Sequence, residues 1–551
     1  MARVGERKTV SRHDTNGLRT LLVGLDGACL PVVEPLIAEG HLPVLGELLG
    51  EGVAGPLESQ VPPWTPSAWP SLYTGANPGK HGVFDFLTFD GYDWDVVNRS
   101  HVREHAIWEL LSERGLESVV VNVPVTAPPR EFDGALVPGY TAPESPKCHP
   151  EGLLDELEAE LGEYRMYAPS DASGDEELAW YRRLTEMRGE AFRYLVDQFD
   201  PAFGFVQFQQ TDSVFHERDG DPEAVRAVYE AVDEQVGEIL DAHDPETVIV
   251  VSDHGIGEYT GYEFRANEFL RERGYVETKG GEGGMPTWGN VDPASIDGDE
   301  SAEQSGYERL LQVAAKFGLT SQRMGAVVDR LGLTDLVLDH VPSQAVRAAT
   351  ESVDFERSTA YMRSRTELGV RINLEGREPS GVVPPERYDS VREDLIDELS
   401  AARTPDGEPV FQDVVPREVY FDGPYTEDAA DVILVPDEFN HHMSSLLSGA
   451  TFGPVPQPWN HKRDGIVAAR GDGIDDSATL DGAHLFDVAP TVLSSLGVPP
   501  SETMDGEPLR IVDPQQSEAY SAFDGAATTE TADEGVEQRL AALGYLDDNE
   551  H

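Results

Sequence analysis

Cysteine is almost missing from this chain: Cys29 and Cys148 are the only two among 551 residues. Two thiols cannot build a disulfide framework or a cysteine zinc knuckle, and their scarcity suits a reducing compartment. Basic residues are also few, 41 Lys and Arg against 102 Asp and Glu, which leaves a formal charge of -61 spread along the whole sequence. A duplex nucleic acid needs a basic face and is not an expected partner. Self-repulsion of this size opposes a compact state in dilute buffer, whereas at molar salt the Debye length falls to about 3 Å and the repulsion largely vanishes. The composition therefore reads as an adaptation to a high-salt cytoplasm. Long apolar runs are missing too: no segment approaches the roughly 18 apolar residues that a membrane span requires. The basic N-terminal stretch MARVGERKTVSRHDTNGLRT runs straight into LLVGLDG without the apolar core of a signal peptide. A soluble, cytoplasmic protein is expected.

What is present is an alternation of strand-like and helix-like segments. Leu21 to Leu25 is a short apolar run that delivers Asp26-Gly27 to its C-terminal end. Similar runs stand at Ser118 to Val125, Phe203 to Gln210 and Thr247 to Asp253, each preceded by an amphipathic helical pattern. Strands without polar alternation, separated by helices, predict an α/β fold with a mostly parallel sheet covered on both faces. From about Lys279 the chain turns Gly-, Asp- and Ser-rich, then helical, then mixed, and the core pattern returns at DVILVP (Asp431 to Pro436) and GIVAARG (Gly465 to Gly471). The expected organisation is a flexible tail over 1–20, a catalytic core over 21–275 and 430–511, an inserted cap over 276–429, and an acidic tail with a short helix over 512–551.

Four fragments at or just past strand ends offer hard or borderline metal ligands: LDG with Asp26, TDSVFH with Asp212 and His216, SDHG with Asp253 and His254, and NHKRDG with His461. The carboxyl ends of strands in a parallel sheet converge on one crevice, so ligands far apart in sequence meet there. Asp and His are the donors a divalent cation accepts when no thiolate is on offer. Asp212 and His216 stand four apart, on one face of a helical turn. Taken singly, each has a plainer role: Asp212 as a cap, Asp253 in a turn, the histidines on the surface. Thr65, in PPWTPSAWPSLYTG, sits where a proline-framed loop enters a helical run, and reads either as a helix cap or as a nucleophile.

Together, LDG, PPWTPSAWPSLYTGANPGKHGVFDF, TDSVFH, SDHG and NHKRDG, followed by FDVAPTVLSSLGV and MDGEPL, resemble the alkaline phosphatase superfamily, specifically its type I phosphodiesterase and nucleotide pyrophosphatase branch, in an acidic, haloarchaeal-like form. The resemblance covers most of the chain in the right order. It implies an alkaline phosphatase-like fold and a two-metal site in which Asp26, Asp253, His254 and Thr65 hold one cation and Asp212, His216 and His461 the other. The metals implied are Zn²⁺, with Mn²⁺ as the alternative. In this branch the nucleophile is a threonine nine residues before the Thr of a TG pair, and Thr65 stands nine before Thr74. The activity implied is hydrolysis of a phosphodiester or pyrophosphate bond in a small, nucleotide-like substrate through a phosphothreonine intermediate. A phosphomonoesterase, a phosphonate hydrolase or a silent binding protein of the same fold are the alternatives. Relatives that cleave nucleotides place an asparagine about twenty-one residues after the nucleophile, where Phe86 stands here. Asn77, Lys80 and Asn122 are the polar candidates for substrate contacts in its stead.

Overall fold

The computed structural model describes residues 17–280, 351–525 and 535–536. A seven-stranded sheet organises the larger part. Its strands in chain order are β1 (Thr20–Leu25), β2 (Val53–Glu58), β3 (Ser118–Val123), β4 (Gly134–Pro138), β5 (Phe203–Phe208), β6 (Thr247–Val251) and, after the elements described below, a long seventh strand, Asp464–Gly471. Across the sheet the order is β2, Asp464–Gly471, β6, β1, β5, β3, β4. The five strands from β6 to β4 are mutually parallel; Asp464–Gly471 runs antiparallel to both β6 and β2.

The apolar runs are continuous because both faces of the sheet are covered. Leu21, Val23 and Leu25 point into one core, shared with Phe192 and Leu195 of α2 (Asp175–Phe199), Phe215 of α3 (Gln210–Arg218) and Val232 and Val236 of α4 (Pro222–His243). Leu22 points the other way, toward Trp69, Leu72 and Tyr73 of α1 (Thr65–Thr74) and Val488 and Val492 of α6 (Val488–Ser495). A strand buried on both sides loses the period-two signature, so length and turn residues identify it instead. The α/β architecture, with a mostly parallel sheet between helical layers, is the one the strand and helix alternation predicts.

A second, smaller body packs beside the sheet's carboxyl edge. Strands β7 (Gly255–Glu258), β8 (Ala360–Tyr361), β9 (Gly369–Ile372), β10 (Phe411–Pro416), β11 (Val432–Pro436) and β12 (Trp459–Lys462) follow in chain order, and Asp464–Gly471 is accordingly β13. An antiparallel sheet in the order β8, β9, β11, β10 carries the helix α5 (Tyr388–Ser400) and shares a core with Trp64, Phe86 and Phe264. Here one sequence expectation is corrected. Asp431 to Pro436 does not return to the main sheet: β11 pairs with β9 and β10, and the chain re-enters the large sheet only at β13. The reason is burial, since all five residues of β11 are buried and a doubly covered cap strand is as apolar as a core strand.

The described part of the acidic stretch after Val512 is held against the rest of the chain. Tyr520 lies against the Arg114 guanidinium at 4.6 Å, Phe523 against that of Arg130 at 4.4 Å, and Glu518 pairs with Arg114. The expected tail over 1–20 ends sooner, since Leu18 is buried and Thr20 opens β1; residues 1–16, most of the Gly- and Asp-rich start of the insertion, and the expected C-terminal helix beyond residue 536 lie outside the described residues. Among the described residues, no helix is long and apolar enough to cross a membrane.

Candidate active site

Seven side chains meet at the carboxyl edge of the sheet. Asp26 follows β1, Asp253 and His254 lie in the turn between β6 and β7, Asp212 and His216 share one face of α3 just after β5, His461 comes from β12, and Thr65 opens α1. The donor atoms form two groups, Asp26 with Asp253 and His254, and Asp212 with His216 and His461; within each group the atoms lie within 4.8 Å of one another. The groups touch: the rings of His254 and His461 stack with centroids 3.7 Å apart, and Nε2 of His216 lies 3.1 Å from Nε2 of His461.

Thr65 stands at the first group. Its Oγ1 is 3.3 Å from Asp26 Oδ1 and 3.2 Å from His254 Nε2, with 2 % of the residue exposed. Thr65 is not the helix cap: Trp64 is the N-cap residue, with extended backbone, and no side chain caps the helix. Pro66 in the first turn suits that start, since its missing N–H costs nothing there. The Thr65 hydroxyl is therefore aimed at the acid and histidine group and not at its own helix. Trp64 in turn donates from Nε1 to the Thr366 carbonyl at 2.6 Å and packs edge-on against His461 at 5.1 Å, tying the Thr65 loop to the smaller body.

Backbone acceptors fix the histidines. Nδ1 of His461 meets the Pro63 carbonyl at 2.9 Å, and Nδ1 of His254 meets the Gly255 carbonyl at 2.9 Å. A carbonyl only accepts, so each Nδ1 carries a proton and each Nε2 is the nitrogen turned to the site, the one left to bind a cation. Two carboxylate oxygens, Asp212 Oδ1 and Asp253 Oδ2, are buried without a hydrogen-bond partner. Gly27, at φ +65°, leaves the space beside Asp212 and His254 open: a Cβ there would sit 2.9 Å from Asp212 Oδ1 and 3.4 Å from His254 Cε1. The donor set, the orphaned oxygens and this cleared space fit hard or borderline divalent cations.

Electrostatics say the same. Burial, followed by the charges of Asp253 and Asp212, pushes the Asp26 carboxyl well above its ordinary range, and burial with the Asp212 charge does so for Asp253. Burial also works against the Asp212 carboxylate, but His216 and then His461 and His254 outweigh it and hold this carboxyl below its usual range. Burial, then His254, keeps His461 well below the usual imidazole range, so it is a neutral donor. Three carboxylates in one dry site cannot all be ionised unless positive charge stands among them.

The remaining sequence candidates lie elsewhere. Asn77 caps the short helix Pro78–His81 by accepting from Gly79 N–H, and its Nδ2 donates to the Tyr420 carbonyl. Lys80 pairs with Asp505 at 2.5 Å and donates to the Thr503 carbonyl. Both follow the C-terminal end of α1, whereas Thr65 opens it; the structure does not bring them to the seven residues. Asn122 comes nearer, through Gln207: its Nδ2 donates to Gln207 Oε1 at 2.7 Å, and Gln207 donates to Asp26. Phe86 is buried in the core of the smaller body. Sequence reading missed Trp69 and Gln207, which both donate to Asp26 Oδ2, at 2.8 and 2.7 Å, and Tyr259, whose hydroxyl donates to the His461 carbonyl. The available signal was Gln207 itself, a polar residue inside the otherwise apolar FGFVQF run.

Comparison with known proteins bears on this arrangement. The family model for type I phosphodiesterase / nucleotide pyrophosphatase matches residues 20–465. No curated protein matches the sequence. Among solved structures, phosphonoacetate hydrolase from Sinorhizobium meliloti 1021 in complex with phosphonoacetate superposes with a TM-score of 0.52 at 14 % identity, over 90 % of this chain and 100 % of the other. The same enzyme with phosphonoformate gives a TM-score of 0.50 at 15 % identity over the same shares. Murine ectonucleotide pyrophosphatase / phosphodiesterase 5, in complex with AMP, gives 0.47 at 12 % identity, over 91 % of this chain and 97 % of the other. At such identities the phosphonoacetate hydrolase likeness speaks to the fold alone.

Proposed function

The chain belongs to the type I phosphodiesterase / nucleotide pyrophosphatase family, and we propose that it hydrolyses phosphodiester or pyrophosphate bonds with Thr65 as nucleophile and two divalent cations held by the two acid and histidine groups. The observation that carries this reading is the placement of Thr65 Oγ1, 3.3 Å from Asp26 and 3.2 Å from His254, at the mouth of a site with two orphaned carboxylate oxygens. Asp26, Asp253, His254 and Thr65 hold one cation, and Asp212, His216 and His461 the other, Zn²⁺ or Mn²⁺. Bound there, such cations lower the pKa of a hydroxyl and offset the charge of a phosphoryl group.

The chain's own contributions follow from the geometry. Thr65 supplies the oxygen that bonds to phosphorus as the ester oxygen leaves, and water later cleaves the threonine ester. Helix α1 places its positive end at that oxygen. Burial keeps bulk water from competing, and the Nδ1 contacts hold the rings of His254 and His461 with Nε2 turned to the site. Two dications against three aspartates leave a formal charge of about +1, which suits one phosphodiester anion. The second reading is cleavage of a phosphomonoester or phosphonate, whose extra charge would call on a further cation such as Arg365, which lines a cavity of about 30 Å³ with Trp64, Tyr259 and Asn460.

Turnover of bis-p-nitrophenyl phosphate against p-nitrophenyl phosphate, in molar KCl with added Zn²⁺ or Mn²⁺, separates the readings. Faster hydrolysis of the diester supports the proposal, faster hydrolysis of the monoester supports the second reading, and no hydrolysis of either contradicts both.

A further inference from the structure

Asp26 has two carboxylate oxygens in different surroundings. Oδ1 faces Thr65 Oγ1 at 3.3 Å and His254 Nε2 at 3.5 Å. Oδ2 accepts from Trp69 Nε1 at 2.8 Å and from Gln207 Nε2 at 2.7 Å. The donors are themselves fixed. Gln207 spends its other amide hydrogen on Gln209 Oε1 at 3.2 Å, and its own Oε1 accepts from Asn122 Nδ2 at 2.7 Å. Asn122 Nδ2 also reaches the Gln207 backbone carbonyl at 3.0 Å. Reversing the Gln207 amide would set its oxygen against the Asp26 carboxylate and its NH₂ against the NH₂ of Asn122, so only one orientation is satisfied.

The fold builds this chain deliberately into its strands. Gln207 and Gly24 are partners across β5 and β1, and Gly24 has no side chain because Trp69 occupies the place: a Cβ would lie 2.6 Å from the indole. Asn122 sits where the β3 and β4 register shifts, at φ +66°, a left-handed conformation that asparagine tolerates better than most residues. Every side chain in the chain is buried.

We infer that Asn122, Gln207 and Trp69 form a positioning chain that occupies Asp26 Oδ2 and so makes Asp26 offer a single oxygen, Oδ1, to the cation beside Thr65. This inference rests on the two-cation reading above. Groups behind a ligand that fix its orientation are typically worth 10- to 100-fold in metal affinity, and here they act on one of the two groups only.

The test is Zn²⁺ binding to the full-length protein in molar KCl, measured by competition with a chromophoric chelator and independent of turnover. In Gln207→Leu, one dissociation constant should rise about 10- to 100-fold while the other stays within about twofold. Trp69→Phe, which removes the second donor to the same oxygen, should weaken the same site and serves if the Leu variant folds poorly. Asn122→Gly, with a residue suited to positive φ, should weaken that site in the wild-type background and have no further effect once Gln207 is Leu, because Asn122 acts through Gln207. Equal losses at both sites, no loss at either, or an additive Asn122 effect would overturn the inference while leaving the two-cation reading intact. Wild-type protein that binds no divalent cation would overturn both.

Discussion

Replacing Gly24 by alanine adds one methyl group at the centre of the sheet, and the structure says where it goes. The new Cβ would lie 2.6 Å from Trp69 Cη2, 3.1 Å from Trp69 Cζ3 and 3.2 Å from Gln207 Cγ. The indole cannot swing clear without cost: it is fully buried, tilts against the Phe205 ring at 5.9 Å, and donates from Nε1 to Asp26. Overpacking of this kind costs about 1–3 kcal/mol. The cost should depend on the far ring of the indole, which phenylalanine lacks. In a Trp69→Phe background, Gly24→Ala should therefore cost less than about 0.5 kcal/mol, giving a coupling of about 1–2 kcal/mol between two residues 45 positions apart in sequence. Urea unfolding at constant molar KCl, followed by far-UV circular dichroism on the four proteins, measures the cycle. The same cost in both backgrounds would mean that the close approach of Trp69 to β1 does not set the stability of this region.

Asp85 gives a pH signature. Burial pushes its carboxyl up to about 7, despite the hydrogen bonds it accepts from the Phe86 N–H, Thr366 and Ser364. The folded state thus binds this proton more tightly than the unfolded chain, so its contribution is present below about 4 and is lost as pH rises to about 7. The stability of Asp85→Asn relative to wild type should rise between pH 5 and pH 8, by at most about 3 kcal/mol, in denaturant titrations; a difference that falls or stays flat contradicts the burial argument. The formal charge of -61 predicts that folding and turnover both improve as KCl rises from about 0.1 M into the molar range, with circular dichroism and activity moving together. Full structure and full activity at the dilute end would refute the high-salt reading of the composition.

Much of the site was legible because its chemistry sits in short, polar fragments at the ends of apolar runs. LDG, SDHG and TDSVFH each place their acids where a parallel strand ends, and the structure gathers Asp26, Asp253, His254, Asp212, His216, His461 and Thr65 within one buried crevice. The orientation of those groups was not legible. That Oδ2 of Asp26 is held by Trp69 and Gln207 depends on the pairing of Gly24 with Gln207 across two strands, which no local pattern encodes. The strand β11 was misassigned for a related reason: burial on both sides makes a cap strand and a core strand read alike. Asn77 and Lys80 looked available because a polar residue after a helix reads the same whether it meets a ligand or, as here, Tyr420 and Asp505.

Acid-quenched peptide mapping during turnover tests the central claim most directly. The full-length protein, loaded with Zn²⁺ in molar KCl and mixed with a chromogenic diester, would be denatured within the first turnovers and its peptides weighed. A nucleophilic Thr65 predicts a phosphoryl adduct on the peptide that carries this residue, absent from Thr65→Ala, with the alanine variant retaining both cations and losing turnover. An adduct on another residue, or an alanine variant that keeps its metal and more than a few per cent of the wild-type rate, would contradict the assignment of Thr65.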